Sequence, residues 1–174
     1  LREHPQRESN NMANPLRVLL VDDHAVVRAG YSVLLKHAGD IEIAAEAESG
    51  EEACRLFASV APDVVIMDLS LPGIGGLEAI RRIIARDSHA RVLVFSVHGD
   101  SVFVEQALHA GARGYITKRS APEELVDAVR TVARGGTHLD AEIAQELAFQ
   151  KTRGDGSPFQ VLSTREFEIF CMLA

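Results

Sequence analysis

The sequence predicts an α/β domain: a five-stranded parallel sheet in the order 2-1-3-4-5 with helices on both faces. Three observations predict it. Short apolar runs rich in β-branched residues stand at 17–21, 64–67 and 91–95, without polar alternation, as strands covered on both faces do. Between the runs, apolar residues recur at helical spacing. Strand and helix alternate five times between residues 16 and 134, which calls for a parallel sheet. Right-handed crossovers then leave few arrangements, and 2-1-3-4-5 is the common one.

Each element has its own signal. Arg17–Val21 is the first buried strand and runs into Asp22, Asp23 and His24. Val26, Val27, Val33 and Leu34 predict an amphipathic helix from Ala25 to His37, closed by Gly39 and Asp40. Ile41–Glu48 alternates apolar and acidic residues, as a half-exposed strand does. Ser49 with Glu52 forms a capping box, and Ala53, Leu56 and Phe57 supply the stripe of the helix it starts. Val64–Met67 is a buried strand that stops at Asp68 and opens into Pro72, Gly73, Gly75 and Gly76, a turn. Leu77, Ile80, Ile83 and Ile84 face inward on a helix to Arg86. A fourth strand, Arg91–Phe95, ends in Ser96-Val97-His98; Asp100 opens the next helix and Gly111 closes it. Gly114–Thr117 is a short fifth strand ending at Lys118. Ser120 with Glu123 reads as a second capping box, for a helix that runs to about Arg134, where Gly135-Gly136 breaks it.

Beyond Gly136 the character changes. Ile143 and Leu147 mark a short amphipathic helix over 140–149, and 150–158 is a charged linker. Leu162-Ser163-Thr164-Arg165-Glu166 starts one more helix with a third capping box, Ser163 and Glu166. The polar stretch 1–14 is read as a disordered leader, with Met12 a candidate start.

Composition narrows the class. The 174 residues are 47% apolar and 25% charged, a globular balance, and no run is long enough to cross a membrane. A net charge of −7 argues against a broad nucleic-acid-binding surface. Cys54 and Cys171 have neither metal-ligand spacing nor a disulfide framework, so a reducing cytoplasm is the expected setting.

In the predicted topology the carboxyl ends of strands one, three, four and five converge, and ligands bind there in such sheets. They bring Asp22, Asp23, Asp68, Ser96 and Lys118 together. Alone, Asp68 reads more simply as a turn-starting or capping residue; its company changes that. Three carboxylates in one crevice repel and need a cation, and one lysine does not neutralise them all. A hard divalent ion fits, with Mg²⁺ the common choice where phosphate is handled. Acids, Mg²⁺, a hydroxyl and a lysine are the parts that phosphoryl transfer uses. No phosphate-binding Gly-Lys-Ser/Thr loop and no G-x-G-x-x-G follows any strand.

Val21-Asp22-Asp23-His24, Met67-Asp68-Leu69-Ser70-Leu71-Pro72-Gly73, Ser96 and Gly114-Tyr115-Ile116-Thr117-Lys118, in that order and at strand ends, resemble the receiver domain of two-component response regulators. Leu162–Ile169 resembles the first helix of a LuxR-type helix-turn-helix domain, and the pair resembles the NarL/FixJ family. The resemblance implies a flavodoxin-like receiver over 15–135, a linker with a short helix over 136–160, and the first helix of a truncated DNA-binding domain over 161–174. It implies Asp68 as the phosphoryl acceptor from a sensor histidine kinase. Asp22 and Asp23 form the acidic pocket, with Asp23 the more direct Mg²⁺ ligand, joined by Asp68 and the backbone carbonyl of Ser70. Lys118 pairs with Asp68 and then with the phosphoryl group. Ser96 donates to the new phosphoryl oxygen, and Tyr115 turns inward when Ser96 moves. Promoter DNA is the implied partner of the full-length protein, as a dimer on phosphorylation. For a chain ending inside the helix-turn-helix the expectation is no DNA binding.

His24 reads as a helix-start residue, and His98 as an exposed loop residue or an influence on water at the site. Two other functions fit parts of the pattern. A phosphohydrolase with Asp68 as nucleophile would ordinarily carry its nucleophile on strand one with a second acid two residues on; here Asp22 and Asp23 are adjacent. A receiver acting only through protein contacts is disfavoured by the 162–174 segment.

Overall fold

The computed structural model describes residues 14–153. The expected leader, except for Asn14, and the expected first helix of the DNA-binding domain at 161–174 lie outside the described residues. Among the described residues six parallel strands form one sheet: β1 (Leu16–Val21), β2 (Ile41–Ala47), β3 (Val64–Met67), β4 (Val92–Ser96), β5 (Gly114–Thr117) and β6 (His138–Leu139). Their order is β2-β1-β3-β4-β5-β6. The first five follow the predicted order. The sixth is an addition at the edge that the two-residue pattern of His138 and Leu139 does not announce.

Among the described residues six helices accompany the strands: α1 (Ala25–His37), α2 (Gly50–Val60), α3 (Gly75–Arg86), α4 (Ser101–Ala110), α5 (Pro122–Ala133) and α6 (Ala141–Arg153). The strand side chains divide by alternation, as a pleat requires. Leu19, Val21, Val65, Met67, Val92, Val94 and Tyr115 face one core with Phe57, Leu77, Ile80, Ile83, Phe103 and Ile143. Val18, Leu20, Val64, Ile66, Leu93, Phe95 and Ile116 face the other, with Leu35, Leu125, Val129 and Val132. Burying a side chain such as Ile66 contributes roughly 1.5–3 kcal/mol, so the continuous apolar runs hold the sheet between its two helical layers.

Two local expectations are corrected. On α1, Val26 and Val33 point outward, 86% and 66% exposed, while the buried positions are Ser32 and Leu35. The helix is apolar on more than one side, and the sheet takes the face carrying Leu35, with Tyr31 and Leu34 beside it. Ser120 does not cap α5. The N-cap is Ala121, Pro122 supplies the first turn, and the Ser120 hydroxyl donates to Asp140 Oδ2 at 3.0 Å. The segment after Gly136 packs on the receiver body. β6 pairs with β5 through Gly114↔His138 and Tyr115↔Leu139, and Ile143 and Leu147 join the core with α4. Gly114 permits that approach, because a Cβ there would lie 2.9 Å from the His138 carbonyl oxygen. Ser49 caps α2 as expected, its hydroxyl accepting from Glu52 N at 3.3 Å, while the Glu52 carboxylate accepts from Glu48 N at 3.1 Å, one residue before the N-cap amide that a full capping box would use.

Candidate functional site

Strand register builds the site. Val21 is paired with Met67, so the next residues, Asp22 and Asp68, leave the sheet side by side. Ser96 is paired with Thr117, which sets Lys118 one residue beyond, at the same edge. Asp22 and Asp68 are 2% and 3% exposed, a costly position for two carboxylates without a counter-charge. Lys118 supplies it. Its ammonium donates to Asp22 Oδ2 and to Asp68 Oδ2, at 2.6 Å each. Burial works to lower the lysine's pKa, but Asp68 and Asp22 outweigh it and hold the group above its ordinary value. The remaining oxygens are also engaged: Asp22 Oδ1 accepts from His24 N at 2.8 Å, and Asp68 Oδ1 from Ser70 N at 3.2 Å.

Asp23 stands outside this pair, 32% exposed at its side chain, with Oδ1 2.7 Å from His24 Nδ1. Ligand-capable atoms of Asp22, Asp23 and His24 lie within 4.8 Å of one another. The carboxylates of Asp23 and Asp68 and the Ser70 backbone are hard oxygen donors. They fit a Mg²⁺ ion, which takes one or two carboxylates and keeps several waters. The pairing of Lys118 with Asp22 leaves Asp23 as the water-accessible acid.

Ser96 is fully buried, and its hydroxyl accepts from His98 N at 3.3 Å. Tyr115 stands inward, with no exposed surface, and its hydroxyl donates to the His98 carbonyl at 2.6 Å. His98 ties this side of the site together. Its ring stacks on Phe103, centroids 4.4 Å apart, and its Nε2 lies 3.2 Å from Ser70 Oγ. From the sequence Ser70 offered only a carbonyl, and His98 a loop position or an influence on water at the site; the contact between this hydroxyl and imidazole, brought together from two loops, leaves no local signal. Arg28 was also missed. Its Nη1 donates to the Asp22 carbonyl at 2.6 Å and its Nε to Glu46 at 3.2 Å. It bridges strands one and two behind the acids.

The backbone at Asp68 is held from beneath by α3. Gly76 N donates to the Leu69 carbonyl at 3.1 Å, and a Cβ on Gly76 would fall 2.1 Å from the Asp68 carbonyl oxygen. Thus the first turn of α3 can press against the acid-bearing loop only because residue 76 has no side chain.

A doubly wound parallel sheet whose strand ends gather acids, a lysine and a hydroxyl is the arrangement that the resemblance to receiver domains implied. Residues 18–130 match the family described as response regulator receiver domain, and the chain belongs to that response regulator family. It is 40% identical over 160 residues to the response regulator UvrY of Escherichia coli K12, covering 91% of this chain and 73% of that protein. It is likewise 40% identical over 162 residues to the response regulator GacA of Pseudomonas aeruginosa, covering 91% and 75%. Among solved structures, a LuxR-family two-component response regulator from Aurantimonas sp. SI85-9A1 superposes with a TM-score of 0.77 at 44% identity, covering 80% of this chain and 99% of that one. The chain is therefore a two-component response regulator of the NarL/FixJ type, with the receiver fold the sequence predicted. Among the described residues no helix is long and apolar enough to span a membrane.

Proposed function

We propose that this regulator takes a phosphoryl group from a sensor histidine kinase onto Asp68, with Mg²⁺, and that the transfer controls transcription through a C-terminal helix-turn-helix domain. One observation carries the reading: the buried Asp68 and Asp22 are bridged, Oδ2 to Oδ2, by the single half-buried ammonium of Lys118, with Asp23 and Ser96 beside them. In the transfer, an Asp68 oxygen attacks phosphorus, the P–N bond of the donor phosphohistidine breaks, and the imidazole leaves with the electron pair. The product is an acyl phosphate. Asp23, Asp68 and the Ser70 carbonyl hold the Mg²⁺, with Asp22 shaping the pocket; when bound, the ion supplies positive charge against the phosphoryl oxygens. Lys118 moves its contact from Asp68 to the phosphoryl group. Ser96 turns its hydroxyl from His98 N to a phosphoryl oxygen, and the loop between them responds. Tyr115, bound to the His98 carbonyl, is the residue through which that loop is read. A bistable element biased by a local charge is what such a switch requires. Phosphorylation favours a homodimer, the form in which the full-length protein binds promoter DNA.

The test is mass spectrometry of the intact chain after incubation with Mg²⁺ and acetyl phosphate. One phosphoryl group on the parent and none on Asp68→Asn supports the assignment. A phosphorylated Asp68→Asn overturns it.

A further inference from the structure

At the seam between the end of β5, the start of α5 and the β6–α6 segment, three side chains converge away from the acidic pocket. Ligand-capable atoms of Glu124, His138 and Asp140 all lie within 4.8 Å of one another. His138 Nε2 is 3.6 Å from Glu124 Oε1. Asp140 is 6% exposed, and its two oxygens are treated differently. Oδ2 accepts from Thr117 N at 2.8 Å and from the Ser120 hydroxyl at 3.0 Å. Oδ1 is buried with no hydrogen-bond partner, and so is His138 Nε2. Buried polar atoms without partners are uncommon in folded proteins and point to an unseen water or ion.

The charge balance agrees. Burial and the neighbouring Asp140 push the Glu124 carboxyl above the usual carboxylate range, against the opposing pull of His138. Two acids and an imidazole facing one point are relieved by a positive charge between them. The Asp140 carboxylate is already oriented by two donors on its far oxygen, the outer support that ligating carboxylates ordinarily have. A neutral imidazole with carboxylates suits zinc and its neighbours better than Mg²⁺. Three protein ligands would leave a position open, and two of them, Glu124 and Asp140, line a cleft of about 430 Å³ together with Arg119, Ser120 and Glu142.

We propose that Glu124, His138 and Asp140 form a second cation site, for a borderline divalent transition ion such as Zn²⁺. The ion clips the β6–α6 segment to the first turn of α5, and does so whether or not Asp68 carries a phosphoryl group.

The 174-residue chain, stripped of metal, is titrated with Zn²⁺ by calorimetry in excess Mg²⁺, which occupies the acidic pocket. Co²⁺ serves as a parallel visible-absorption probe. One Zn²⁺ per chain is expected. His138→Gln should weaken it by about a hundredfold or more, since losing even an outer-shell partner costs 10–100-fold. Circular dichroism checks that the variant is folded. Nitrogen-15 spectra of the parent imidazoles give an independent reading, with Zn²⁺ shifting His138 Nε2 and leaving His24 unmoved. The proposal is overturned by no uptake in the parent, which leaves a shared proton in the cluster. Parent-like affinity in His138→Gln, or a shift at His24 in place of His138, also overturns it.

Discussion

The hydroxyl of Tyr115 and the backbone carbonyl of His98 meet at 2.6 Å, a bond that ties the β5 strand to the loop after β4. Both partners are intermediate to the site: Tyr115 lies three residues before Lys118, and His98 N donates to the Ser96 hydroxyl.

Tyr115→Phe keeps the buried ring and removes the bond. Stability should fall by about 1 kcal/mol, the usual net worth of one internal hydrogen bond, read as a shift in the urea midpoint. Phosphoryl uptake on Asp68 should persist while the change in dimerisation that follows it weakens. Unchanged coupling in Tyr115→Phe would remove this bond from the switch.

Lys118→Ala leaves Asp22 and Asp68 buried with no ammonium between them. Breaking a buried ion pair costs about 3–5 kcal/mol, and the lower end applies because the crevice opens to water at Asp23. Added Mg²⁺ should restore part of the loss and bind at least as well as in the parent. The parent has a matching pH signature. Its lysine pKa is raised on folding, so the contribution is complete below the ordinary value of 10.5 and is lost as pH rises through the higher folded value. Denaturant melts on the alkaline side should show a steeper decline in the parent than in Lys118→Ala, where the half-buried Tyr31 and Cys54, both with raised pKa, still contribute.

Removing Mg²⁺ with a chelator should abolish phosphoryl uptake from acetyl phosphate and leave the far-ultraviolet circular dichroism intact. Both cores are built from apolar strands and helices, with no part in them for the ion. Unfolding in the chelator would contradict this account of the pocket.

Gly76→Ala forces a methyl group to within 2.1 Å of the Asp68 carbonyl oxygen and 2.7 Å of Leu69 Cα, both backbone atoms. Overpacking of this kind costs about 1–3 kcal/mol or more. Because the atoms that must move carry Asp68, the rate of phosphoryl uptake should fall along with the melting temperature. A variant with a lowered melting temperature and parental uptake would place the strain elsewhere.

Much of this was legible in the residues. The Val64–Met67 run, buried throughout, and its stop at Asp68 are local facts, and the helix stripes of Leu77, Ile80 and Ile83 are equally so. The convergence of Asp22, Asp68 and Lys118 followed from topology, because parallel strands end at one edge. What was not legible depended on competition at a distance. Ser120 has the spacing of a capping residue, but Asp140 takes its hydroxyl instead. Val26 and Val33 are apolar, yet the sheet selects the Leu35 face of α1. β6 is two residues long with half-buried side chains, too short for any periodicity.

The neighbouring residues Thr117 and Lys118 are gripped from opposite sides. Asp140, just past the edge strand β6, holds the Thr117 amide, while the acid pair holds the Lys118 ammonium. Any withdrawal of the lysine toward a new anion therefore tugs on a peptide whose other anchor is the start of α6. The Thr117–Lys118 peptide is thus a mechanical joint between the pocket and α6, whose first turn begins one residue after Asp140.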